Sequence, residues 1–129
     1  MINPHYKHSE LTGKIIGCAM QVHRILGSGF QEVIYQRALA IEMSENQIHF
    51  VREKEIPLYY KGQHVGGRRA DFIVEDVVAV ELKALTVTEQ VHLSQIKSYL
   101  EAYNVETGLL INFGRPSLDF RRLINGNYK

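Results

Sequence analysis

Along the chain the spacing of apolar residues changes several times, and each change marks an element. From Leu11 to Leu26, apolar residues at 11, 15, 18, 19, 22 and 26 recur at helical spacing and lay down one stripe. Ser9 is placed to cap that helix, and Gly27, Ser28 and Gly29 to stop it. A second helical pattern runs from Phe30 to about Glu45, with Ile34, Ala38 and Ile41 on its apolar side. Residues 48–60 read as a strand in which Pro57 demands an edge position or a bulge, and Lys61 and Gly62 supply a turn. Val65 to Arg69 lead into residues 72–74 and 77–80, apolar runs of the kind found in strands covered on both faces. Helical spacing returns from Glu89 to Tyr103 through Leu93, Ile96, Leu100 and Tyr103. Val105 to Phe113 then reads as a strand reached by a crossover, hence parallel to a strand of the hairpin before it. The predicted order is α-α-β-β-β-α-β, an α/β fold with a central mixed four-stranded sheet flanked by helices. Residues 1–8 form an irregular lead, and the segment from Pro116, with Arg121 and Arg122, is left as a final short element.

Three charges interrupt the apolar hairpin: Asp71, Glu81 and Lys83. A charge withdrawn from water costs several kcal/mol unless it is paired or bound to a metal, so such a cluster suggests a site. Alternate residues of a strand share a face, which sends Glu81 and Lys83 the same way. Asp71 joins them only if the turn has an odd number of residues, and Glu75, Asp76 and Val77 provide three. With that register one face reads Asp71, Ile73, Ala79, Glu81, Lys83, and the other reads Phe72, Val74, Val78, Val80, Leu82, which is pure core. Two converging carboxylates make a hard-oxygen site suited to Mg2+ or Mn2+, and the neighbouring lysine can orient a water or stabilise charge on phosphorus. The same three residues could instead be an ion-paired hairpin at the sheet margin. Arg68 and Arg69 flank the cluster and are placed either for phosphate contact or at a solvated strand end.

Composition narrows the classes. At 129 residues, 45% hydrophobic and 22% charged, the chain suits one globular domain, 1–129, with a single core. A formal charge of +1 argues against a general basic coat, so any nucleic-acid contact has to be local. One cysteine, Cys18, excludes an internal disulfide framework. No apolar run reaches the ~18 residues that span a bilayer, and the N-terminus lacks the apolar centre of a signal peptide, so the expected location is the cytoplasm, away from membranes.

The element order and the charged hairpin resemble the PD-(D/E)XK nuclease superfamily, with its restriction-endonuclease-like core. Glu81-Leu82-Lys83 matches the E-x-K half of the motif and Asp71 the preceding aspartate, although Ala70 stands where the motif has proline. Gln95 and Tyr99 are similar to the Q-x-x-x-Y motif on a helix of exonuclease domains in that superfamily. Gly29, Glu32 and Tyr35 fit the G-x-x-E-x-x-Y signature of the GxxExxY family, and L-T-G-K-I-I-G, V-H-R-I-L-G and L-L-I-N-F-G resemble that family's flanking stretches. The resemblance implies a metal-dependent phosphodiesterase acting on DNA ahead of RNA, with Asp71, Glu81 and Glu32 around Mg2+ or Mn2+. It implies Lys83 as activator of the attacking water or stabiliser of the pentacovalent transition state, Gln95 as the catalytic-set group that positions substrate or lysine, Tyr99 as its support and His23 as an extra partner; Arg68, Arg69 and Tyr35 complete the residues expected toward substrate. For His23 the residues themselves favour a hydrogen bond near its helix end. The rival is a non-catalytic module of the same fold that binds nucleic acid or a protein. The missing basic coat leaves a homodimer or a partner open as the means of completing a target surface.

Overall fold

In the computed structural model, which describes residues 7–129, three helices and five strands form around one mixed sheet. Helices α1 (Ser9–Leu26) and α2 (Glu32–Glu45) are followed by β1 (Phe50–Tyr60), β2 (Gln63–Val74), β3 (Val78–Lys83), α3 (Gln90–Tyr103), β4 (Thr107–Asn112) and β5 (Asp119–Ile124). Residues 1–6 of the expected irregular lead lie outside the described residues. The sheet order is β1-β2-β3-β4-β5, with β3 and β4 parallel and the other neighbours antiparallel. The parallel pair joined through α3 is the expected crossover. The strand count is corrected from four to five: the short element after Pro116 is β5, with Leu123 buried against the α3 face.

The β2–β3 hairpin has the predicted three-residue connection, since Val74 pairs with Val78 and Phe72 with Val80. Glu75 and Asp76 adopt positive φ angles of 52° and 61°, which short polar side chains tolerate better than branched ones. Phe72, Val74, Val78, Val80 and Leu82 all enter the core under α1 and α2, while Ile73 and Ala79 pack on the opposite face against Ile96 and Leu100 of α3. The sheet is thus covered on both faces at its centre, as the unbroken apolar runs required.

Two expectations about the helices are corrected. The cap position of α1 is His8 in a left-handed conformation, and Ser9 is already helical. On α2, which starts at Glu32 rather than Phe30, the buried side is Tyr35, Gln36, Leu39 and Met43, while Ile34 is 36% and Ile41 61% exposed. The competing stripes lie close on the helix, and a glutamine inside the true one disguises it. At the far end of the sheet, Lys61 and Gly62 form a two-residue turn with φ 50° and 77°, the all-positive geometry that fits hairpin twist. Pro57 sits on the edge strand, and a register shift beside Leu58 leaves Val65 as the extra residue of a bulge.

Candidate functional site

The site is built where β2 loses regularity. Pairing between β1 and β2 passes from Arg52↔Phe72 to Lys54↔Ala70 without joining Glu53 to Asp71, and Glu53 has a φ of 53°. Ala70 and Ile73, three residues apart, pack in the same cluster beneath α3, so the strand changes face between them. Asp71 stands at that irregularity. Its Oδ2 accepts from the Leu82 backbone N–H at 2.8 Å, and its Oδ1 accepts from the Gln36 side-chain amide on α2 at 3.0 Å.

Glu81 comes from β3, where it is 1% exposed. Tyr103 donates to its Oε1 at 2.9 Å and Arg68 Nη2 to its Oε2 at 3.2 Å. Arg68 Nε also donates to the Tyr103 hydroxyl at 2.9 Å, and the guanidinium lies 3.6 Å from the centroid of the Tyr99 ring. Burial, followed by the adjacent Asp71 carboxylate, raises the Glu81 pKa from 4.5 to about 7, against the pull of Arg68. The carboxyls of Asp71 and Glu81 are within hydrogen-bonding reach of each other. Burial also raises the pKa of Tyr103, and the Glu81 charge adds to it.

Glu32 opens α2 and sits in the field of the same cluster. Desolvation raises its pKa; Lys83 opposes that rise and Asp71 adds to it. Its position depends on the turn before α2. Gly29 takes a φ of 112°, accessible without strain only to glycine, and the Tyr35 hydroxyl donates to Gly27 O at 2.6 Å while accepting from Phe30 N at 3.2 Å. The Tyr35 ring stacks on Phe113 at 4.6 Å, and Phe113 N donates to the carbonyl of Lys83 at 2.8 Å. A chain of contacts therefore runs from the start of α2 to the end of β3, fixing Glu32 relative to Lys83. Asn112, beside Lys83 in the sheet, accepts from Leu85 N and Gly114 N and donates to Thr88, which orders the connection leaving the site.

The expected residues separate accordingly. Asp71, Glu81, Arg68 and Tyr99 are brought together, with Glu32 and Lys83 in electrostatic contact. Gln95 is exposed on α3. Arg69 points to the other side of the hairpin, where it pairs with Glu55 at 3.2 Å. Tyr35 is fully buried and is spent on the turn, which corrects its place among the residues facing substrate. His23 Nε2 bonds to the Arg115 carbonyl at 2.9 Å, the hydrogen bond near the helix end that its position suggested. Sequence reasoning missed Gln36 and Tyr103. Each lies four residues beyond a residue already singled out, Glu32 and Tyr99, and so on the same helix face.

Among the described residues, no group of three or more His, Cys, Asp or Glu side chains stands ready to hold a metal ion. Glu32 therefore does not complete a preformed carboxylate cage. The donor set still fits a hard divalent cation of the magnesium type, which takes one or two carboxylates and keeps several waters. Two adjacent carboxyls, one of them buried and resisting ionisation, form an arrangement that such a cation stabilises.

Residues 9–123 match the family model of the PD-(D/E)XK nuclease superfamily. The chain is also similar to the crystal structure of SSO0001, at 19% identity and a TM-score of 0.56, over 72% of this chain and 50% of that one. It thus spans half the length of that solved chain, and at this identity the likeness concerns fold. No curated protein matches it.

Proposed function

Because the chain belongs to the PD-(D/E)XK nuclease superfamily, we propose that it is a metal-dependent nuclease that hydrolyses phosphodiester bonds, in DNA ahead of RNA. Within the superfamily we place it in the GxxExxY family, on Gly29, Glu32 and Tyr35 and the turn they build. The observation that carries the activity is the meeting of the Asp71 and Glu81 carboxyls beside Lys83 and Glu32.

PD-(D/E)XK nucleases generally use divalent metals. Asp71 and Glu81 would hold the ion, with Glu32 reaching it through water; the ion supplies charge neutralisation at the phosphate and acidifies a bound water. Gln36 and the Leu82 N–H orient Asp71, each through one carboxylate oxygen, and leave its remaining lone pairs available. Lys83 would orient the attacking water and stabilise charge on a non-bridging phosphate oxygen through its Nζ, which lies in the field of Glu32. Gln95, exposed on the helix that carries Tyr99, is placed to contact the substrate rather than the ion. Tyr99 acts through Arg68, whose guanidinium it supports.

The second reading, a non-catalytic binding module, is favoured by one feature: both Glu81 oxygens are already satisfied by Arg68 and Tyr103. Incubating the protein with linear, circular, single-stranded and branched DNA and with RNA, in Mg2+ or Mn2+, separates the two. The nuclease reading expects products that require metal and disappear in Lys83→Ala and Asp71→Ala. Equal products in the variants, or none from the wild type, would overturn it.

A further inference from the structure

The hairpin of β1 and β2 reaches well beyond the sheet it belongs to. Its two strands pair with each other from Phe50↔Val74 out to Tyr60↔Gln63, yet β2 pairs with β3 only from Phe72 to Val74. The segment past Lys54 and Ala70 is therefore a two-stranded arm of roughly 20 Å, at about 3.3 Å per residue. An isolated ribbon of this kind is marginal in water, and most of its side chains on β1 are exposed on both faces. Tyr59, Tyr60 and Val65, at or near its tip, are each 64% exposed.

Charge is concentrated on the same arm. From Lys54 to Ala70 there are four Lys or Arg (54, 61, 68, 69) and one Glu (55), a formal +3. The whole chain carries +1, which leaves −2 for everything else. The local basic surface that composition alone could not locate is here.

One face of the arm leads into the candidate site. Tyr60, Leu58 and Ile56 alternate along β1 on the face opposite Tyr59, and Ile56 pairs with Arg68, the residue bonded to Glu81. Ile56 packs in the cluster beneath α3, which fixes this face as the site side. Beside Leu58 is Gly66, with a φ of 154° and no atom within 4 Å of where its Cβ would be, so the row has an open, flat floor. Lys61 Nζ lies 5.4 Å from the Tyr60 ring centroid at the end of the row.

We propose that the β1–β2 arm is a binding platform for an unpaired nucleic-acid strand, which stacks a base on Tyr60 and lays its phosphates along Lys61 and Arg68 toward the candidate site. Exposed aromatic rings interleaved with cations suit this ligand, because every base offers a π face while a duplex hides its faces by stacking. The proposal rests on the nuclease reading for the fate of the strand and specifies its substrate as nucleic acid with a single-stranded segment.

The test is fluorescence anisotropy of a labelled single-stranded oligodeoxynucleotide and of its duplex, with the intact protein in EDTA so that nothing is cleaved. Wild type is expected to bind the single strand more tightly than the duplex. Tyr60→Ser is expected to weaken single-strand binding at least about tenfold, while the melting temperature stays within a few degrees because the ring is at the surface, and Tyr59→Ser, on the opposite face, is expected to bind like wild type. Lys61→Ser is expected to reduce the slope of log K against log salt by roughly 0.7. Unchanged affinity in Tyr60→Ser overturns the proposal, as does an equal loss in Tyr59→Ser, a wild type that prefers duplex, or variants whose only change is loss of self-association. If metal-dependent cleavage persists equally in wild type and arm variants, the nuclease reading stands and the arm fails. If the arm variants lose binding while no protein cleaves, the arm stands and the nuclease reading fails.

Discussion

Replacing Glu81 with glutamine should stabilise the protein at alkaline pH and leave it little changed in acid. Burial and the neighbouring Asp71 raise the Glu81 pKa from its ordinary 4.5 to about 7. Between those values the folded protein holds a proton that the unfolded chain releases, so stability is greatest below pH 4.5 and falls as the pH rises to about 7. Each pH unit between the two pKa values is worth ~1.4 kcal/mol, and the penalty on the fully ionised carboxyl is then roughly 3 kcal/mol. Glutamine is isosteric, its carbonyl can accept from Arg68, and its amide can donate to Asp71. At pH 8 the Glu81→Gln variant should therefore gain up to about 3 kcal/mol, on the order of 10 °C in Tm, and at pH 4.5 the two proteins should be close. Urea denaturation at a series of pH values, taking the difference between the two proteins, isolates this group from every other titration. A divalent cation should recover the deficit in the wild type at pH 8 and do little for the variant, because it binds the folded carboxylate. Parallel stability curves for the two proteins, or a variant less stable than wild type at pH 8, would refute the reasoning.

Two further predictions concern the scaffold. Tyr35→Phe removes the hydroxyl shared by Gly27 O and Phe30 N and should cost about 1–3 kcal/mol in chemical denaturation, with loss of activity from the shifted Glu32. Gly114→Ala puts a Cβ 2.4 Å from the backbone N and O of Leu85, which cannot move aside as a side chain would, and should lower Tm by far more than Gly126→Ala, whose Cβ meets nothing within 4 Å.

Much of this arrangement was legible in the sequence because strand periodicity is strict. An odd-length turn at Glu75, Asp76 and Val77 was enough to set Phe72 across from Val80, which brings Asp71 beside Glu81, and to assign Phe72, Val74, Val78, Val80 and Leu82 to one core face. What escaped was tertiary. Alternation along β2 cannot reveal that the strand changes face at Asp71, because the irregularity involves Glu53 on another strand. Nor can it reveal that Gln36 reaches Asp71 from α2, or that Arg68 and Tyr103 close on Glu81 across 13 and 22 residues of sequence. The buried side of α2 was misread for a related reason: its stripe includes Gln36, whose polarity is satisfied by Asp71 only in the folded chain. The fifth strand was hidden because its pattern, Asp119 to Ile124, has one fully buried residue, as suits the edge of a sheet.

The central claim, that Asp71 and Glu81 gather a hard cation beside Lys83, is tested most directly by calorimetric titration with Mn2+ at pH 8. Wild type should bind the ion, Asp71→Asn should lose most of the affinity, and Lys83→Ala should bind at least as tightly as wild type because a neighbouring positive charge is gone. A wild type that takes up no Mn2+, or an Asp71→Asn variant that binds it equally well, would contradict the account.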